Sequence, residues 1–381
     1  METLSSAGRV MIIAGETSGD SHGARLVAAM RKIDETTEFF GIGGNAMKKA
    51  GVDIVVDAAA LSVVGITEVF SRLPALLRGA SAIKREVVRR KPDLVILIDF
   101  PDFNLHMARY VKRFSIPVLY YISPQVWAWR SGRIHKIKKY VDRMAVILPF
   151  EKDFYRQYDV PVTFVGHPLL DHYKKGALVS QAANPGVKTL IGLLPGSRRQ
   201  EVSRNLHVML AAANQLSRKR ENLAFLVSAA PGIDRDLIDE YIRPYRQTMD
   251  IRTADGDVGH VLSQCTLVVA ASGTVTLETA IHGVPMVIVY RVSPVSYMLG
   301  RALIRVAHIG LANIMAQKRV VPELLQQEAT PANIARAAAD IIDDPIRLEE
   351  TRQSLRRIRE QLGGPGASSK TAGIAYSMMR K

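Results

Sequence analysis

Short apolar runs alternate along the chain with longer stretches whose apolar positions recur at helical spacing. The runs Val10–Ala14, Phe39–Ile42, Ile54–Val56, Leu94–Ile98, Val118–Ile122, Met144–Leu148 and Val162–Val165 predict one series of strands. A second series is predicted at Leu190–Leu194, Ala224–Ser228, Ile251–Thr253, Leu267–Ala270 and Met286–Val289. Amphipathic stretches lie between the runs, among them Gly23–Lys32, Glu201–Lys219 and Val275–His282. Strand–helix alternation predicts parallel sheets covered by helices on both faces. The periodicity lapses from Pro168 to Lys188, which separates the two series. The fold class is therefore α/β, with two Rossmann-like domains facing a central cleft and ligands bound beyond the carboxyl ends of strands. Near the end, Leu348–Leu362 reads as helix, "GGPGASS" breaks it, and Lys370–Arg380 resumes a helical pattern.

Composition narrows the picture. At 381 residues the chain is too long for one typical core, and 48% apolar residues suit a globular protein. A single cysteine, Cys265, excludes an internal disulfide and any cysteine-built metal site, and fits a reducing cytoplasm. The run "RVMIIAG" is too short for a secretion-signal core and reads as the first strand. No apolar run is long enough to span a bilayer. Basic residues number 51 against 36 acidic, a net charge of +15, which favours an anionic partner. With 6% aromatics and no nucleic-acid motif, phosphate or an anionic lipid surface is the expected partner, not nucleic acid.

Four stretches carry candidate chemistry. In "DLVILIDFPDFN" a strand buried on both faces ends at Asp99, with Asp102 three residues on. An acid there caps something or does chemistry. "AGETSGDSHG" runs from the first strand into a helix; it is not a dinucleotide fingerprint, and a plain glycine-rich turn competes with a ligand-binding reading. "LLPGSRRQEV" repeats the device, and Gly196, Ser197 and Arg198 suit a diphosphate, through helix-start N–H groups and a planar guanidinium fork. "ASGTVTLE" has the same shape: Ser272, Gly273 and Thr274 suit phosphate, and Glu278, one turn into its helix, can accept both hydroxyls of a ribose.

Two further stretches mix bases with apolar residues. "SPQVWAWRSGRIHKIKKYVDR" sets both tryptophans beside Arg130, Arg133, Lys136, Lys138 and Lys139. In Leu61–Lys91, Val69, Leu73, Leu76 and Leu77 share a helical face flanked by Arg72, Arg78, Lys84 and Arg85. Such a stripe suits either an interfacial helix or an ordinary core-facing one.

Taken in order, "GETSGDSHGARL", "GIGG", "VVGITEV", "IDFPDFN", "YYISPQVWAWR", "ILPFEKDFY", "FVGHPLLD", "LLPGSRRQEV" and "ASGTVTLE" resemble the lipid A disaccharide synthase family over almost the whole chain. "YRVSPVSYMLGRALI" and "VVPELLQ" extend the match, with small departures at Leu311–Asn313 and Ala316–Lys318. The resemblance implies an inverting glycosyltransferase of GT-B type. Its donor would be UDP-2,3-diacylglucosamine and its acceptor 2,3-diacylglucosamine 1-phosphate (lipid X). The products would be a β-1,6 disaccharide 1-phosphate and UDP, with no cofactor and no metal. It also implies an N-terminal acceptor-side domain, residues 1–168 with a helix crossing back at 366–381, and a UDP-sugar domain, residues 188–345. The enzyme would sit on the cytoplasmic face of an anionic inner membrane.

On that resemblance Asp99 is the base that deprotonates the acceptor hydroxyl, while Asp102 caps the following helix. Arg198 stabilises the departing diphosphate. Gly196, Ser197, Ser272, Gly273, Thr274 and Glu278 bind the nucleotide, Glu16, Ser18 and Asp20 shape the N-terminal side, and Asn313 contacts substrate. Val69, Phe70, Leu73 and Leu76 are expected at the membrane. Two other classes compete. One is another UDP-sugar enzyme of this fold, such as the peptidoglycan N-acetylglucosamine transferase or a UDP-N-acetylglucosamine epimerase. The other is a non-catalytic protein that binds anionic lipid.

Overall fold

A computed structural model describes residues 7–61, 66–171, 188–230, 232–292, 297 and 307–379, the side chains of 66–72 and 255 excepted. The first seven strands are β1 (Arg9–Ala14), β2 (Glu38–Gly43), β3 (Asp53–Asp57), β4 (Leu94–Ile98), β5 (Val118–Tyr121), β6 (Arg143–Val146) and β7 (Val162–Phe164). They form one parallel sheet in the order β3-β2-β1-β4-β5-β6-β7. Strands β8 (Thr189–Leu194), β9 (Leu223–Ala229), β10 (Ile251–Asp255), β11 (Leu267–Ala271), β12 (Met286–Tyr290) and β13 (Glu323–Leu325) form a second. Its order is β10-β9-β8-β11-β12-β13, again parallel throughout. Each run named above becomes a strand; the three-residue edge strand β13 has too short a pattern to stand out.

The central strands are apolar from Val10 to Ala14 and from Leu94 to Ile98 because both of their faces are covered. In β1, Val10, Ile12 and Ala14 join the core on one face and Met11 and Ile13 the core on the other. In β4, Leu94, Ile96 and Ile98 alternate likewise with Val95 and Leu97. Each such valine, leucine, isoleucine or methionine side chain contributes about 1.5–3 kcal/mol by leaving water.

Contacts divide the chain into two units, Met1–His172 with Leu362–Lys381, and Tyr173–Gln361. The helix Ala367–Met379 buries Ala372, Ala375 and Tyr376 with Leu26, Val27 and Met30 of the helix Thr17–Arg31. The Tyr376 hydroxyl lies 2.7 Å from the Thr37 hydroxyl. Ahead of this helix, Gly363 and Gly366 take φ of 86° and 99°, a region that favours glycine, and the Gly366 N–H donates to Asp171.

In each sheet the order runs outward in one direction through the first three strands and in the other through the rest. The reversal falls between β1 and β4 in the first unit and between β8 and β11 in the second. At such a switch point the connections leave on opposite faces and open a crevice at the carboxyl ends. The loops after β1, β4, β8 and β11 are the four that carry the candidate motifs.

Candidate functional site

In the first unit, the turn after β4 is built around backbone in the left-handed region. Asp99 and Phe100 take φ of 46° and 47°, and Pro101 then starts the helix Pro101–Val111. Consecutive non-glycine residues there cost about 1–3 kcal/mol each and persist only where the surroundings hold them. Here they do. The Asp99 carbonyl accepts hydrogen bonds from the Tyr120 hydroxyl (2.6 Å) and Asn104 Nδ2 (2.6 Å), and Nδ2 also reaches the Ile98 carbonyl (3.2 Å). Asn104 and Tyr120 are fully buried, and burial raises the Tyr120 pKa well above its ordinary value, so the hydroxyl keeps its proton and donates. The Phe100 ring stacks on Phe103 and lies against Gly15, where any Cβ would run into it. Glycine after β1 is thus required by the turn after β4.

The Asp99 carboxyl is pushed up to about 6, first by burial and then by the charge of Glu16, against a smaller opposing effect from the Phe100 N–H. It is mostly ionised at neutral pH yet more basic than an exposed aspartate, the condition that suits a general base.

Other acids near this turn hold structure. Asp102 does not cap its helix. The N-cap position is Phe100, and the Asp102 carboxylate instead bridges Arg130 (3.0 Å) and Arg133 (2.6 Å). Asp20 is buried and accepts from the N–H groups of Gly44 (2.7 Å), Ala46 (2.9 Å) and Met47 (3.0 Å), tying the first helix to the start of the helix Asn45–Lys49. With its oxygens so engaged, Asp20 supports the loop from beneath. Glu16 and Ser18 are exposed at the start of the helix Thr17–Arg31.

In the second unit, Gly196 takes φ of 125° in the loop after β8, and a Cβ there would meet Glu201. Glu201, in the first turn of the helix Arg199–Ser217, folds back over the loop. One of its oxygens accepts the Ser197 N–H (3.1 Å) and the other meets Arg198 (2.8 Å). The protein's own carboxylate thus occupies the donors that the motif offers an anion. The loop after β11 is open: Gly273 and Thr274 are exposed, and a Cβ on Gly273 would meet nothing within 4 Å. Ser272 is half-buried and its N–H is used by the Val289 carbonyl. Glu278 is half-buried one turn into the helix Thr274–Ile281.

Asn313 is not available to a ligand. It is fully buried; Nδ2 donates to the Val321 carbonyl (2.9 Å) and Glu323 (2.8 Å), and Oδ1 accepts from the N–H groups of Val320 (2.8 Å) and Val321 (3.0 Å). It pins the segment leading into β13. Leu76 is also reassigned: it packs partly buried against the core that holds Met11 and Ile13. On the same helix, Ile66–Arg90, Leu73 is 48% and Leu77 61% exposed. The side chains of Val69 and Phe70 lie outside the described residues. Asn104, Tyr120 and Glu201 were not singled out by sequence reasoning. For Glu201 a signal existed, an acid in the first turn of a helix, where side chains reach back to free N–H groups. For Tyr120 there was none, since a tyrosine within an apolar run reads as core.

A family model described as lipid-A-disaccharide synthetase matches residues 10–377. A lipid-A-disaccharide synthase from Geobacter metallireducens is 46% identical over 380 residues, spanning 98% of each chain. One from Syntrophus aciditrophicus is 46% identical over 383 residues, again 98% of each. Among solved structures, a Staphylococcus aureus MnaA–UDP complex aligns with a TM-score of 0.64 at 13% identity, over 97% of both chains. The calicheamicin glycosyltransferase CalG4 aligns at 0.62 and 15% identity, over 98% of this chain and 99% of that one. These last two show the fold, two Rossmann-like domains. The sequence matches show the family: this chain belongs to the lipid-A-disaccharide synthases, glycosyltransferase enzymes of lipid A biosynthesis.

Proposed function

We propose that the enzyme transfers 2,3-diacylglucosamine from UDP to the 6-hydroxyl of 2,3-diacylglucosamine 1-phosphate with inversion at the anomeric carbon. The observation that carries this reading is Asp99: a carboxyl at the switch point of the first sheet, held by its main chain and pushed up to about 6. Asp99 takes the proton of the acceptor hydroxyl as that oxygen attacks the face opposite UDP. The first unit, with its C-terminal helix, is the acceptor side, and the second is the UDP-sugar side. Arg198 balances the charge that grows on the departing diphosphate, and Gly196, Ser197, Ser272, Gly273 and Thr274 bring backbone and hydroxyl groups to the phosphates. Glu278 holds the ribose. Glu16 acts on Asp99 through its charge, and Ser18 borders the same loop.

Both substrates carry acyl chains, so the reading places the enzyme against the cytoplasmic face of the inner membrane. Among the described residues no helix is long and apolar enough to cross a membrane. A groove of about 800 Å³, lined by Val56, Leu61, Leu77, Ala82, Arg78 and Arg85, lies along the Ile66–Arg90 helix beside the exposed Leu73. Apolar walls with bases at the rim suit acyl chains and anionic headgroups.

The test is direct. Purified protein is incubated with both acylated substrates, and products are read by mass spectrometry for the disaccharide 1-phosphate and by chromatography for UDP. UDP release without disaccharide, or turnover of a peptidoglycan lipid precursor in preference to lipid X, overturns the reading.

A further inference from the structure

The Asp102 cluster has a composition that its structural role alone does not require. Two guanidiniums, Arg130 and Arg133, converge on one carboxylate. Both also lie over the Trp129 ring, 4.9 Å and 5.0 Å from its centroid. Arg133 is almost entirely buried, with a side chain 7% exposed, whereas that of Asp102 is 71% exposed. A buried guanidinium is held in place by its ring and its neighbours, while its counter-ion is free to swing into water. The pairing leaves one positive charge in excess, and it sits in a loop whose other tryptophan is anchored by Trp127 Nε1 donating to the buried Glu151 at 3.1 Å.

We propose that Trp129, Arg130 and Arg133 form a site for a phosphate monoester, in which Asp102 occupies the donors until the phosphate displaces it. Two planar forks presented side by side match the oxygens of a phosphate, and a dianion satisfies them better than one carboxylate does. The position gives the site its meaning, and here the inference rests on the proposed transfer. Asp102 follows Asp99 by three residues, so their Cα atoms lie at most about 10 Å apart. That is the scale of one sugar ring with its substituents. With the base at the attacking hydroxyl, the guanidiniums meet a phosphate at the opposite end of the same acceptor sugar. The cluster would therefore select a phosphorylated sugar over its dephosphorylated counterpart.

Trp129 supplies a readout independent of turnover. Tryptophan fluorescence of the full-length protein is titrated with glucosamine 1-phosphate and, in parallel, with glucosamine. The phosphorylated sugar is expected to perturb the signal saturably and the free sugar to do so at least tenfold more weakly. Arg130→Asn removes one fork while tolerating the left-handed backbone at this position (φ 53°), and should weaken glucosamine 1-phosphate about tenfold or more. Asp102→Asn removes the competing anion and should strengthen it. Equal response to both sugars, or weaker phosphate binding in Asp102→Asn, overturns the site. Under catalysis, the ratio of KM for dephosphorylated to phosphorylated acceptor should fall about tenfold in Arg130→Asn; an unchanged ratio also overturns it. Vesicles containing anionic phospholipid form the remaining arm. If Arg130→Asn lowers vesicle binding but leaves the sugar titration unchanged, the cluster binds lipid headgroups and the acceptor assignment falls. Failure of the unsubstituted protein to form any disaccharide, with the fluorescence pattern intact, would instead remove the proposed transfer and leave a phosphate site.

Discussion

The Tyr120 hydroxyl donates to the Asp99 carbonyl at 2.6 Å, so the proposed base is gripped by its main chain and its carboxyl is left for chemistry. Asn104 holds the same oxygen from the following helix. The strained turn and its two buried donors form one unit, and each prediction about Asp99 depends on it.

Tyr120→Phe removes one donor and leaves Asp99 in place. A buried hydrogen bond of this kind contributes about 1–1.5 kcal/mol, and the loss should appear in urea unfolding. The turn is held less well, so kcat should fall about tenfold with KM nearly unchanged. Equal kcat in the variant would mean that the hydroxyl has no part in placing the base.

Asp99→Asn should lower kcat by about 10²–10⁴-fold, leave UDP affinity near that of the unsubstituted protein, and stabilise the fold at neutral pH. The sign follows from the raised pKa. Between the ordinary aspartate value and about 6 the folded state holds a proton that the unfolded state releases, so stability falls as pH rises through that window. Above it the ionised, half-buried carboxylate costs about 1–3 kcal/mol, which asparagine does not incur. Melting scans should show the variant more stable at pH 7.5 and level with the parent near pH 3.5.

The same pKa sets the rate profile. With Asp99 as base, kcat/KM should rise about tenfold per pH unit below 6 and level off above it. A neutral glutamine in place of Glu16 removes the charge that raises Asp99, so in Glu16→Gln the acidic limb should move to lower pH. A profile flat from pH 5 to 8 would exclude a base with this pKa.

Arg198→Ala and Glu201→Gln should act in opposite directions on UDP. The first removes a diphosphate donor and should weaken binding and slow transfer together. The second removes the carboxylate that now covers the Ser197 N–H and the Arg198 guanidinium, and should tighten UDP by several-fold in calorimetry. An exposed pair contributes less than about 1 kcal/mol, so stability should change little.

On the Ile66–Arg90 helix, Leu73 and Leu77 are exposed and Leu76 packs on the core. Leu73→Ser with Leu77→Ser should release protein from anionic vesicles without lowering the melting temperature. Leu76→Ser should instead destabilise by about 1–3 kcal/mol. Vesicle binding unchanged in the double variant would place the membrane contact elsewhere.

What the sequence determined by itself is the layout. Runs buried on both faces are apolar at every position, so Val10–Ala14 and Leu94–Ile98 declare themselves as central parallel strands without any knowledge of their neighbours. Glycine-rich turns directly after such runs mark where backbone comes close to something, and the loops after β1, β8 and β11 were legible as candidate sites for that reason. The departure of an acid from a buried strand end pointed to Asp99.

Tertiary structure decided what each polar group is for. Asp20 meets N–H groups 24 to 27 residues away, and Asp102 meets arginines 28 and 31 residues away. A carboxylate reads identically in sequence whether its oxygens face backbone, guanidinium or substrate. Asn313 was expected at the substrate only from the family resemblance; burial and four internal hydrogen bonds remove that option. Helical periodicity groups Leu73, Leu76 and Leu77 on one stripe but cannot say which edge of the stripe meets the core. The pKa of Asp99 likewise depends on burial and on Glu16, 83 residues before it, brought close because β1 and β4 pair at the centre of the sheet.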